Sequence, residues 1–108
     1  MTSPIFFNVK EAREHLVQHG FVYTIRHRRQ TGKTVARNGS FYKFEEIAPV
    51  KVQEVMLLHE EGREVQLADY VRCSGFRTVQ EWIGKVTSWK HPMFLYLVYA
   101  HGKSVREP

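Results

Sequence analysis

The segment from residue 20 to residue 37, GFVYTIRHRRQTGKTVAR, restricts the fold more than any other part of the chain. Its first residues alternate with a period of two. This predicts a strand with Phe21, Tyr23 and Ile25 on one side and Val22, Thr24 and Arg26 on the other. The chain then turns near Thr31-Gly32 and returns through Lys33, Val35 and Arg37. The pattern predicts a hairpin, or a strand–loop–strand, over the whole segment.

The same segment carries an excess of positive charge that no acidic residue balances. Five cations fall within twelve residues: Arg26, Arg28, Arg29, Lys33 and Arg37. The net charge of +5 has the same origin, because residues 1–44 carry a charge of +6 and residues 45–108 a charge of −1. A one-sided positive charge is typical of proteins that bind anionic partners, although a solvated surface without a partner has the same signature.

Length and composition exclude several other classes of protein. The 108 residues suit a single domain over 1–108, which we expect to be a monomer. A single cysteine, Cys73, excludes an internal disulfide and a cysteine-based zinc site and fits a cytoplasmic protein. The adjacent Arg72 favours a reactive thiol at Cys73, but a structural cysteine is the stronger interpretation. The longest apolar run, Met93 to Ala100, is far short of the roughly 20 residues that span a bilayer.

The residues before the basic segment predict an edge strand and a helix. Ile5 to Phe7 form the short apolar strand, and Asn8 with Glu11 three residues later resembles a capping box. Gly20 is expected to end this helix. His15 and His19 lie one turn apart, but two histidines without a third ligand are a weak metal signal. We therefore expect no metal and no cofactor.

The middle of the chain predicts further strands. Asn38-Gly39-Ser40 is a turn signal, and residues 41–44 are expected to form a short strand that ends at residues 45–49. Val50 to Leu58 alternates as a strand, with a helix over residues 52–59 left open. Residues 65–71 predict one or two helical turns.

The last third predicts a capped helix followed by a buried strand. Thr78 and Glu81 form a capping box, and the residues that then follow one helix face are Val79, Trp82, Ile83, Val86 and Trp89. Such a stripe is more often core than binding surface. Residues 94–101 are apolar at nearly every position, which predicts a strand buried on both faces. The whole predicts an α+β fold, a small and mostly antiparallel β-barrel with two or three helices packed at its ends.

This order of elements resembles the ASCH domains of the PUA-like superfamily. In that family a helix ending in Gly precedes a G-x-K-x-x-E-x-R-type strand, matched here by Gly20 to Arg26. A later G-F-x-S/T motif opens a helix, and Gly75-Phe76-Arg77-Thr78 is similar to it. The resemblance covers residues 6–101 and implies a PUA-like barrel with an RNA-binding role.

Part of this superfamily hydrolyses acetylated cytidine with a lysine and a threonine of the first strand and a glutamate of a later loop. Here Thr24 is kept, but Phe21 stands where the lysine would be and Ser74 where the glutamate would be. Such hydrolysis needs an activated nucleophile or base, which Phe21 and Ser74 do not supply. The sequence therefore assigns no catalytic residue.

Three functions remain open at this point. The first is RNA binding, with phosphate contacts from Arg26, Arg28, Arg29, Lys33 and Arg37 and further contacts from Tyr23 and Thr24, while Phe41 or Tyr42 offer additional stacking. The second is a hydrolase or sensor for a modified nucleoside held in the barrel cleft near Thr24 and Arg26. The third is a protein-interaction domain whose basic face meets an acidic partner.

Overall fold

A computed structural model describes residues 4–27, 31–40, 42–59, 61–86 and 93–100. These residues form five strands, three α-helices and a 3-10 turn (Val71–Cys73). In chain order the strands and α-helices are β1 (Ile5–Phe6), α1 (Lys10–His19), β2 (Phe21–Arg26), β3 (Gly32–Gly39), β4 (Phe44–Leu58), α2 (Arg63–Ala68), α3 (Val79–Gly84) and β5 (Met93–Ala100). The fold is α+β, as the sequence predicts.

The five strands form one mixed sheet in the order β1-β3-β4-β5-β2. The short β1 runs parallel to β3, and the other three pairings are antiparallel. Strands β2 and β3 are not paired with each other, so the strand–loop–strand prediction is confirmed and the hairpin prediction is wrong. Strand β2 pairs instead with β5, which lies about 70 residues later in the chain. This pairing covers all of β2, from Phe21 opposite Tyr99 to Arg26 opposite Phe94.

The sheet is curled into a half-barrel, and one side chain connects its two outer strands. Arg26 on β2 donates a hydrogen bond from Nη2 to the main-chain carbonyl of Phe6 on β1, at 2.8 Å. The connection between β1 and β2 is therefore made by a guanidinium group. This arginine becomes the centre of the candidate site below.

Strand β4 is longer than the sequence predicts. It continues through residues 45–49, so the predicted break there is wrong, and the helix left open for residues 52–59 is not formed. Pro49 is tolerated because β5 pairs with β4 only from Val50 onward, which leaves one side of β4 without a paired strand at Pro49 among the described residues. A register shift between Glu54 and Met56 then bends the far end of β4.

The core has two clusters, and β5 contributes to both. The first cluster packs α1 and the residue after β1 against the sheet through residues such as Phe7, Leu16, Val22, Val52 and Tyr96. The second packs α2 and α3 against the sheet through residues such as Ile25, Leu67, Phe76, Trp82 and Leu95. The prediction that the last strand is buried on both faces is confirmed, as is the core position of Trp82; Trp89 lies outside the described residues.

The sequence predicts both ends of α1, and the structure confirms the end at Gly20 but not the cap at Asn8. Helix α1 ends as predicted, since Gly20 has a φ of 82° and donates its N–H to the Leu16 carbonyl at 2.8 Å. Its N-cap is Val9, without a side-chain hydrogen bond. The amide of Asn8 instead makes two hydrogen bonds to the backbone of Gly39, at 3.0 and 2.7 Å. Asn8 thus ties the start of α1 to the β3–β4 turn.

Helix α3 begins as predicted. The Thr78 hydroxyl accepts a hydrogen bond from the Glu81 N–H at 3.1 Å, and the Glu81 carboxylate accepts one from the Arg77 N–H. No helix in the described part of the chain is long and apolar enough to cross a membrane.

Candidate functional site

A cleft of about 430 Å³ opens between β1, the start of α1, β2 and α3. Five aromatic residues line it: Phe6, Phe7, Tyr23, Phe76 and Trp82. The polar and cationic residues along it are Asn8, Thr24, Arg26, His27 and Lys85. No Asp or Glu lines this cleft within the described residues. The cleft therefore combines flat apolar walls with positive charge.

Strand periodicity places Thr24 and Arg26 on the same side of β2. Thr24 is buried and accepts a hydrogen bond from the Arg26 Nε at 3.3 Å. The Arg26 guanidinium also lies over the Phe7 ring, with 5.0 Å between Cζ and the ring centroid. These contacts hold the arginine in one orientation at the wall of the cleft.

Burial lowers the pKa of the Arg26 guanidinium to about 10. The group remains protonated at neutral pH, because this pKa is still well above 7. Its charge is nevertheless poorly hydrated, and the described residues give it a hydroxyl and a carbonyl but no carboxylate. A ligand that brings an anionic group or a strong hydrogen-bond acceptor would compensate for this lost hydration.

The opposite wall depends on a close approach between the loop before α3 and the start of α1. Gly75 has a φ of 93° and lies against the backbone of Glu11, so that a Cβ atom at this position would overlap the Glu11 carbonyl oxygen. This contact holds the loop before α3 against the start of α1. Trp82 and Lys85, about one helical turn apart, then both reach the cleft.

Tyr23 is half-buried in the cleft and packs on Tyr70, with 4.9 Å between ring centroids. Burial, with smaller effects from Cys73 and Tyr70, raises the pKa of its phenol. Tyr23 therefore keeps its proton at neutral pH. The structure thus brings together three of the residues predicted from the sequence, namely Tyr23, Thr24 and Arg26.

Of the remaining predicted contact residues, those that the structure describes do not line the cleft. Lys33 is exposed on β3, opposite Lys51 on β4. The Arg37 guanidinium lies over the Phe44 ring at 3.9 Å, although its backbone pairs with Phe6. Tyr42 is 99% exposed at the β3–β4 turn. Arg28, Arg29 and Phe41 lie outside the described residues.

The two positions at which the sequence departs from the amidohydrolase pattern are also away from the cleft. The Phe21 ring packs edge-on against His15 and Tyr23. Ser74 is completely buried; its hydroxyl donates to the Val71 carbonyl at 2.7 Å and accepts from the Phe76 N–H at 3.1 Å. Both residues therefore have structural roles.

The histidine pair on α1 forms a stack with a fixed hydrogen bond. The rings of His15 and His19 are 4.4 Å apart, and the His15 Nδ1 is 2.8 Å from the Phe21 carbonyl, to which it donates. Among the residues that the structure describes, no group of three or more His, Cys, Asp or Glu side chains is placed to hold a metal ion. Cys73 is half-buried.

Sequence reasoning did not predict the contribution of Phe6, His27, Phe76 and Lys85 to the cleft. Of these, only Lys85 has a usable signal, since the capping box at Thr78 places it on the helix about one turn after Trp82. A scan against models of protein families, a search of the curated proteins and a search of the solved structures each found no match.

Proposed function

We propose that this chain is a PUA-like domain of the ASCH type that binds single-stranded RNA and holds one unpaired nucleotide in the cleft. The order of helices and strands, the Gly20 and Gly75-Phe76 motifs and the curled sheet support the family assignment. The residues that line the cleft support an unpaired nucleotide as its ligand.

The observation that carries the proposal is the half-buried Arg26 at the wall of an open, aromatic cleft that lacks acidic residues in the described part of the chain. Unpaired bases are flat, stack on aromatic side chains and present acceptors at their edges. The half-buried Phe6 and Tyr23 offer aromatic surface for the ring, whereas Phe7, Phe76 and Trp82 are buried behind it, and Arg26 offers donors for the edge. Its volume lies within the range of about 300–1,000 Å³ that is typical of small-ligand sites.

The positive groups at the cleft suit the phosphates on either side of such a base. Lys85 lies along it, and Arg28 and Arg29 come one and two residues after its lining residue His27 in the sequence. Lys33 and Arg37 lie elsewhere on β3, and we keep them as further phosphate contacts. If Arg28, Arg29, Lys33 and Arg37 contact phosphates while Arg26 contacts the base, the log–log dependence of affinity on salt has a slope of about −2.8 for a single strand.

Titration of the folded protein with labelled single-stranded RNA, at several salt concentrations, tests this proposal. We expect salt-dependent binding that is weaker for duplex RNA, and a marked loss of affinity in Arg26→Met. The matched control is Arg72→Gln, which removes an exposed charge away from the cleft and is expected to bind nearly as the wild type. The thermal unfolding curve of each variant shows whether it is folded.

Two results contradict the proposal. The first is the absence of RNA binding at low salt. The second is equal affinity for RNA and for a polyanion without bases, such as heparin. This result would mean that charge alone determines the affinity, and it would favour an acidic protein partner.

A nucleoside sensor is the second candidate, because the cleft is large enough to take a nucleoside without a flanking chain. Binding of a free modified nucleoside that does not depend on salt would favour it over RNA binding. Hydrolysis gains no support from Phe21 and Ser74, which lie outside the cleft.

A further inference from the structure

The wall of the cleft that holds Arg26 and Thr24 offers more hydrogen-bond donors than acceptors. A guanidinium has five N–H donors, and two of those on Arg26 are used within the described residues, by Thr24 and by the Phe6 carbonyl. Three N–H groups therefore remain for a ligand. The Thr24 oxygen accepts from Arg26, so its own hydrogen is also available to donate.

Among the other polar groups along the cleft, the Tyr23 phenol and the His27 ring can accept as well as donate, so the excess of donors belongs to the wall that holds Arg26 and Thr24. Lys85 donates only, and the amide of Asn8 is engaged on both sides by the backbone of Gly39. The guanidinium is held in orientation by the Phe7 ring and by its two hydrogen bonds. A fixed fork of donors binds best to two adjacent acceptors on a flat ligand.

Among purine bases this requirement separates guanine from adenine. Guanine presents the acceptors O6 and N7 side by side, and an arginine can bind both at once. Adenine presents N7 beside the N6 amino group, which is a donor and would meet the donors of the cleft. Building on the RNA-binding function proposed above, we propose that the cleft selects a 6-keto purine, guanine or hypoxanthine, through Arg26.

The test uses a set of short oligouridines that differ only in one central base. Guanine, hypoxanthine, adenine and 7-deazaguanine are compared by fluorescence anisotropy with the wild-type protein. We expect the guanine and hypoxanthine strands to bind roughly 5- to 150-fold more tightly than the adenine strand, the range for one bidentate arginine–base pair. Removal of N7 in the 7-deazaguanine strand is expected to lower the affinity, although the protein is unchanged.

The matched variant is Arg26→Lys, which keeps the charge but replaces the fork by a single ammonium group. It is expected to lose the preference for guanine while it keeps the salt dependence. Lys85→Gln, in contrast, is expected to weaken all four strands by a similar factor, because a phosphate contact does not read the base.

The outcomes separate this inference from the function on which it rests. If no strand binds, the RNA-binding function itself is wrong. If all strands bind with equal affinity, RNA binding holds and the selection by Arg26 is overturned. A guanine strand that binds far better than the hypoxanthine strand also overturns it, because these two bases differ only in the N2 amino group and not at O6 or N7.

Discussion

The close approach of Gly75 to α1 gives the sharpest stability prediction. In Gly75→Ala the new Cβ would overlap the Glu11 carbonyl oxygen and lie 2.6 Å from the carbonyl carbon, and both of these atoms belong to backbone that cannot rotate away. The φ of 93° adds the cost of a left-handed conformation, about 1–2 kcal/mol for a residue with a Cβ. Forced displacement of packed backbone adds about 1–3 kcal/mol. The expected loss of unfolding free energy is therefore about 2–5 kcal/mol.

Gly62 provides a matched control, because its φ of 87° is nearly the same while a Cβ there meets nothing within 4 Å. Gly62→Ala is expected to lose only the conformational part, about 1–2 kcal/mol. The gain from reducing the freedom of the unfolded chain is similar in both variants and cancels in the comparison. The difference between the two variants thus isolates the contact between Gly75 and Glu11.

Urea unfolding followed by tryptophan fluorescence and circular dichroism measures both changes. At about 4 °C or more per kcal/mol for a chain of this size, the melting temperature is also expected to separate the two variants by several degrees. Equal losses in Gly75→Ala and Gly62→Ala would refute the steric argument. Since the same contact brings Trp82 and Lys85 to the cleft, Gly75→Ala is also expected to weaken RNA binding.

Two further predictions concern buried polar groups. Ser74→Ala is expected to lower the unfolding free energy by about 1–3 kcal/mol, because the buried Phe76 N–H loses its acceptor. Chemical unfolding measures this loss, and a value near zero would contradict the prediction. Burial, with a smaller effect from His19, lowers the pKa of His15, so protonation favours the unfolded chain and stability falls as the pH drops below 6.5. The fall ends below the folded-state pKa. His15→Gln is expected to reduce this pH dependence, and identical stability–pH profiles for variant and wild type would count against the argument.

Signals that act over a few residues were sufficient to predict much of the secondary structure. The end of α1 at Gly20 and the start of α3 at Thr78 follow from hydrogen bonds within three or four residues, and such bonds are visible as sequence motifs. The alternation over Phe21–Arg26 also identified β2, and it placed Thr24 and Arg26 on one face before any partner strand was known.

Errors arose where a residue has a choice between a local and a distant partner. Asn8 is a residue type that often caps helices, yet its amide bonds to Gly39, which lies 31 residues away. Pro49 is a residue that often ends a strand, yet β4 continues through it, paired with Val35 of β3 on one side and without a paired strand on the other side among the described residues. In both cases the outcome depends on which backbone lies opposite, and a local motif does not contain that information.

The sequence by itself thus determined the α+β class, the end of α1, the start of α3, β2 and the buried last strand, because hydrophobic period and capping are local properties. Tertiary structure alone decided that β2 pairs with β5, that Arg26 reaches the Phe6 carbonyl, and that the loop at Gly75 lies against α1. These contacts join residues far apart in the chain, and their free energy comes from packing that no single segment encodes. The cleft is built from such contacts.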